Sequence, residues 1–342
     1  MNKDRILWLD CLRVFTCFLV VFAHCAVYIF GERELFSPGW HIYNCYTVTG
    51  QGTNFVFFMI SGVFFLDPDR EISIDKLYSK YIKKLAIIFL FWFPLNNIFF
   101  LWYGSKLFPP SIFVSGNIFV TAKNFFLLHP LHLWFLPMII GFYISVPLLR
   151  CITQNEKILP YCIFVGILAT LVKYFNVKII VDFARYIVAP CLPFILGYYL
   201  MKCKKISGKT EFALYTLGII GYLSMILPTA YFSCKEGKTH MVYLDECKFV
   251  MAVAIFCFFK CRVAKVNFSP RAQSIILFLS SHTLGIYLLQ TPLRCLVHRY
   301  LLPINSFTPL FSIPVVALIT FLISLLITVL LKKIPRFNKY FI

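Results

Sequence analysis

ILWLDCLRVFTCFLVVFAHCAVYIF, residues Ile6–Phe30, is an apolar stretch long enough to cross a bilayer, interrupted by three ionisable side chains, Asp10, Arg13 and His24. A spanning helix needs about 20 mostly apolar residues. An ionisable group inside one costs roughly 2.5–3.5 kcal/mol on insertion scales, so each needs a partner or a task. Asp10 and Arg13 are spaced to meet on one helical face. Arg13 and His24 lie close to three turns apart, so they project from the same face with ~16 Å of axial separation. A helix entering near Ile6 places Arg13 partway in and His24 near the far leaflet. Two readings follow. In one, Arg13 holds an anion, a carboxylate or phosphate, through its planar fork and His24 takes a proton from a hydroxyl near neutral pH. In the other, Asp10 and Arg13 are a snorkelling ion pair and His24 is hydrogen-bonded inside a bundle.

Working outward, such stretches recur to the end of the chain. Of 342 residues, 60% are hydrophobic and only 14% charged, with a mean hydropathy of +0.80. Soluble domains carry nearer 25% charge, so a soluble globular protein is excluded. The pattern predicts an all-α polytopic integral membrane bundle of about ten transmembrane helices. They are placed near Ile6–Phe30, Thr47–Leu66, Tyr81–Tyr103, Leu131–Leu149, Ile158–Phe175, Ile179–Met201, Phe212–Phe232, Met241–Val263, Ile275–Val297 and Leu310–Leu331. Pro110–Leu128 is semi-polar and reads as a re-entrant or interfacial helix. The chain shows no repeat, low-complexity tract or linker, and reads as a single membrane domain over 1–342. The Ala-His-Cys-Ala stretch of the first helix makes a poor cleavage site, so an uncleaved helix is expected.

Net charge is +19, carried in short loops between spans. There it speaks of topology and anionic lipid headgroups rather than nucleic acid. With the N-terminus inside, the inner loops hold roughly twice the Lys and Arg of the outer loops and their edges, where Arg294 and Arg299 are counted. Both termini are therefore expected in the cytoplasm. The thirteen cysteines show no metal-type spacing, and no metal is expected. Cys234 and Cys247 flank an expected outer loop and are candidates for pairing.

Further polar groups stand out in this apolar background. His129 and His132 flank Pro130 before Leu133-Trp134-Phe135-Leu136, and read either as an interfacial anchor or as pocket residues. Asp182 and Arg185 repeat the three-residue spacing and read as a structural pair. His282 and Gln290 fall on one face of the ninth span. Ser61-Gly62 reads as a close helix crossing rather than a nucleophile, since no Gly-x-Ser-x-Gly elbow is present.

These residues fall into a pattern. Trp8-Leu9-Asp10-Cys11-Leu12, then Arg13 and His24 at Arg-x10-His, resembles the opening of the bacterial acyltransferase-3 family. Phe57-Phe58-Met59-Ile60-Ser61-Gly62, the run from His132 to Met138 continuing to Pro147-Leu148-Leu149-Arg150, Pro193–Tyr198 and Gly285–Leu289 follow in the family's order. The resemblance implies a ten-helix membrane domain using an acyl-CoA donor, typically acetyl-CoA. The acceptor it implies is a hydroxyl on a cell-envelope glycan or lipid-linked sugar, in the bacterial inner membrane. It makes Arg13 and His24 the essential residues, with Asp10 beside them, and His132, Trp134 and Gln290 substrate-binding. The family's Arg-x-x-Arg before the third span, thought to hold donor phosphates, is replaced by Lys80-Tyr81-Ile82-Lys83-Lys84. Lysine keeps the charge but lacks the bidentate fork. Gln290 stands where the family often has His, and glutamine cannot exchange a proton near neutral pH. The rival readings are a transporter or flippase, which predicts paired broken helices in inverted repeats, and an inactive scaffold.

Overall fold

Why the bundle is wrapped as it is follows from where its large apolar side chains point. Leu148 is 74% and Phe212 73% exposed, and Leu90, Trp102, Leu227 and Leu326 also face outward. Small and polar residues instead fill helix contacts, with Ser312, Thr320, Ser324 and Thr328 buried along one helix. In water such a surface would aggregate; in lipid it is the expected one, because only closed backbone hydrogen bonding is required of the exterior.

The computed structural model describes residues 5–103, 132–155, 157–171, 191–202 and 205–342. The helices are α1 (Leu7–Tyr28), α2 (Pro38–Thr49), α3 (Thr53–Phe65), α4 (Ile74–Lys76), α5 (Lys83–Tyr103), α6 (Phe135–Thr153), α7 (Ile158–Leu171), α8 (Cys191–Lys202), α9 (Gly208–Glu236), α10 (Asp245–Cys261), α11 (Pro270–Leu296), α12 (Pro309–Lys332) and α13 (Pro335–Tyr340). No strand occurs among the described residues. Serines open four of these helices: Ser37, Ser73, Ser207 and Ser269 each accept a hydrogen bond from a backbone N–H of the first turn, satisfying donors a helix cannot satisfy internally.

Seven helical segments among the described residues are long and apolar enough to cross a membrane, so the expected count of about ten is not confirmed. The described parts of α7 and α8 run for 14 and 12 residues. Helix α10 has 17 residues, and Asp245, Glu246, Lys248 and Lys260 lie within it. The interfacial Pro110–Leu128 segment, most of the sixth expected span with Asp182 and Arg185, and His129 lie outside the described residues. The second expected span is also redrawn. It begins at Pro38 rather than Thr47 and is broken between α2 and α3 at Gly50–Gly52, where Gly52 adopts φ +83. Gly50 packs on Ala23 and the Leu19 carbonyl of α1, and Gly52 on the Lys248 backbone. A side chain at either position would collide.

Helix α1 is central: it packs against α11, α12, α2 and α3. Leu9 and Leu12 are buried with Val56, Phe58, Phe194 and Phe256, while Val21, Cys25 and Ala26 join Trp40, Tyr43, Ile313 and Phe321. The α3–α8 crossing is set by reciprocal glycines. A Cβ on Gly62 would overlap the Phe194 carbonyl, and one on Gly197 the Met59 backbone, the close approach that small residues permit in lipid.

Arg150, near the end of α6, ties down the chain that leaves α3. Its Nε donates to the Phe65 carbonyl at 2.9 Å, and its Nη2 to those of Asp67 and Arg70 at 2.7 and 2.6 Å. Thr153 adds a bond to the Leu66 carbonyl at 3.1 Å. Charge-assisted bonds of this kind contribute about 1.5–3 kcal/mol each before solvent competes for half-buried ends. Arg150→Met is expected to lower stability by about 2 kcal/mol, read as a lower melting temperature in detergent. An unchanged melting temperature would show the loop to be held elsewhere.

The expected Cys234–Cys247 pair is not formed. Cys234 is exposed on α9, while Cys247 is buried beside Met225.

Candidate functional site

A cavity of about 510 Å³ lies between α1, the α2–α3 break, α6 and α11, and both Arg13 and His24 line it. The single face inferred from their spacing is the face that α1 turns to this cavity. At one end, Arg13 lies near Tyr143, which in turn faces Ser61. At the other, the Gly50–Gly52 turn, Thr53 and Asn54 form part of the wall.

Asp10 fixes Arg13. The Arg13 Nη1 stands 3.3 Å from the Asp10 Oδ1 and donates to the Ser280 Oγ at 3.3 Å. Ser280 closes the triangle by donating to Asp10, and Arg5 approaches the second Asp10 oxygen at 3.6 Å. Asp10 is only 3% exposed and does not line the cavity. It neutralises and orients Arg13 from behind, as a buried charge requires. The snorkelling pair and the cavity-facing arginine are therefore the same structure.

His24 is held from α11. The Gln290 carboxamide lies against its Nδ1, with Oε1 at 3.1 Å and Nε2 at 2.9 Å. When Oε1 accepts from Nδ1–H, the Nε2 lone pair of the imidazole is left free, which is the tautomer a general base needs. Gln290 is fully buried and lies outside the cavity lining, and its Nε2 also reaches the Thr291 hydroxyl at 2.8 Å. It meets the cavity through His24 rather than as part of the lining. Gln290→Leu removes the group that selects the tautomer while keeping the volume; turnover is expected to fall about tenfold, the low end of what losing the hydrogen-bond partner of a working imidazole costs. A variant with full turnover would show that the ring is oriented by other contacts.

His132 and Trp134 both line the cavity. His132 is buried and Trp134 45% exposed. The lysines behave differently. Lys80, Lys83 and Lys84 are exposed at the start of α5 and its preceding π-helical turn, and none lines the cavity, although Leu85, next in sequence, does. His282 stays in the packing: its Nδ1 lies 2.6 Å from the Phe278 carbonyl, with the two rings 4.5 Å apart.

Two residues escaped the sequence reading. Ser280 gives no signal from its type. Arg294 was counted at an outer edge, yet it is buried in α11, donating to the His24 carbonyl at 2.6 Å and stacking 4.2 Å over Tyr28. It stands one turn beyond Gln290 on the same helix face, and an arginine so close to a polar run in an apolar helix was the available sign.

A family model described as an acyltransferase domain, acyltransferase-3, matches residues 6–329. No curated protein and no solved structure matches the chain. With that match spanning nearly the whole chain, and with the arginine and histidine of the first helix facing one cavity, the chain belongs to the acyltransferase-3 family.

Proposed function

We propose that this membrane acyltransferase moves an acyl group, typically acetyl, from acyl-CoA to a hydroxyl of a cell-envelope glycan or lipid-linked sugar, within one membrane-embedded domain. The observation that carries the reading is that Arg13 and His24 share a cavity although they lie three turns apart on α1. A long pantetheine arm suits such a depth. In this proposal Arg13 steers the arm, with Asp10 holding it, and His24 takes the proton from the acceptor hydroxyl. The hydroxyl oxygen then attacks the thioester carbon, and collapse expels the thiol, which recovers a proton from His24.

Trp134 offers an indole face to sugar or pantetheine. Lys80, Lys83 and Lys84 provide cationic points for the donor's phosphates, outside the cavity that takes the acyl end. On this reading the protein works in the bacterial inner membrane, with both termini cytoplasmic and lipids around it, and uses neither metal nor nucleic acid. The test is label transfer by the purified protein in liposomes, given radiolabelled acetyl-CoA and a bacterial envelope glycan fraction. Labelled glycan supports the reading. Absence of both transfer and acetyl-CoA binding would move the protein to the transporter or scaffold class.

A further inference from the structure

His132 presents a problem that the mechanism above does not use. It lines the cavity, is only 6% exposed, and among the described residues neither Nδ1 nor Nε2 has a hydrogen-bond partner. The ring approaches the Leu288 backbone without closing a bond. Native structures leave few buried polar side-chain atoms unpaired, and each asks for a reason. Here both nitrogens of one ring are left open, beside a space large enough for a ligand.

The surroundings hold the ring rigidly in that state. The Tyr287 hydroxyl of α11 donates to the His132 carbonyl, and the Tyr287 ring packs edge-on to the imidazole at 5.7 Å. Leu133 and Leu136, which follow, are buried to 1% exposure. His132 and His24 are near enough to interact electrostatically. Two imidazoles from different parts of the chain therefore line one cavity, and among the described residues a side-chain partner holds the ring of His24 but not that of His132.

We propose that His132 is a second catalytic imidazole, whose ring N–H donates to the oxygen of the acyl carbonyl. The proposal rests on the acyl-CoA reading above. As the acceptor oxygen, deprotonated by His24, bonds to the thioester carbon, the carbonyl π pair moves to oxygen and is held there by His132. The pair returns as the carbon–sulfur bond breaks, and the sulfur takes the proton from His24. His132 ends as it began. A donor already placed and shielded from water needs no reorganisation when the charge develops, which is where such contacts contribute most.

The test compares acetyl-CoA with S-ethyl-CoA, a thioether that lacks the carbonyl oxygen, using the full chain in detergent. The wild type is expected to bind acetyl-CoA about tenfold more tightly. His132→Phe is expected to bind both alike, with S-ethyl-CoA affinity unchanged, and to transfer label about 100-fold more slowly. His132→Gln, which keeps an N–H donor, should regain part of both. In the unaltered protein, labelled with 15N at histidine, acetyl-CoA should move the His132 resonance and S-ethyl-CoA should not, a reading independent of any variant's folding. A His132→Phe protein that keeps the preference and the rate would overturn the assignment, as would a wild type that binds both compounds equally. If the wild type binds neither, the donor reading itself falls, and this role with it.

Discussion

His24→Ala transfers acyl groups about 10²–10⁴-fold more slowly than the unaltered chain, the range for losing a positioned general base, and keeps its fold. The second half of that expectation follows from the local structure. Alanine is the best helix former, and the lost ring faces a cavity rather than a packed core. Gln290 keeps its bond to Thr291, and Arg294 keeps its bond to the backbone carbonyl of position 24. The variant should elute as a sharp peak in detergent and still bind acetyl-CoA, because the groups assigned to the donor arm lie at the Arg13 end. Label transfer and acetyl-CoA binding measured on the same preparation separate the two effects. A His24→Ala protein that transfers at the wild-type rate would end the base assignment.

Gly62→Ala is the substitution expected to damage the fold most. The added methyl overlaps a main-chain carbonyl of Phe194, and main chain cannot swing aside as a flexible side chain can. Relief requires α3 and α8 to separate, which opens the contact made by Gly197 on Met59 as well. Overpacking costs typically about 1–3 kcal/mol, and a crossing fixed from both sides belongs at the top of that range. The readout is the yield of monodisperse protein and its melting temperature in detergent. Gly141→Ala is the matched control: the same change on α6 meets nothing within 4 Å and should leave stability equal or slightly raised through helix propensity. Equal behaviour of the two variants would show that the crossing adapts.

The features most legible in the sequence were those with a period. Arg13 and His24 could be placed on one face because a helix dictates it, and the cavity confirms that face. Ser61-Gly62 was readable as a crossing because lipid leaves small residues few other uses. The start of α2 was not readable, since Pro38–Thr49 is semi-polar and its entry depends on the buried Trp40 and Tyr43 meeting Phe30. The α2–α3 break could be suspected from two glycines but not its packing on α1. Residue type alone did not give the contacts: Gln290 meets His24, and Arg294 lies inside the bundle because it has a carbonyl and a tyrosine face there. Contacts between distant helices carry no periodic trace in a single chain.

Among the described residues, the side-chain hydrogen bonds that reach Arg13 and His24 from another helix all come from α11: Ser280 to Arg13, and Gln290 with Arg294 to His24. Those partners stand 266 to 270 positions later in the chain. During synthesis the first helix thus emerges from the ribosome long before the helix that completes it. Asp10 can neutralise Arg13 at once, within the same helix, but His24 must wait. The insertion machinery has to shelter a polar notch in α1 until Pro270–Leu296 arrives. A nascent chain stopped before Pro270 carries that notch open to lipid, so the last fifth of the protein is what closes it.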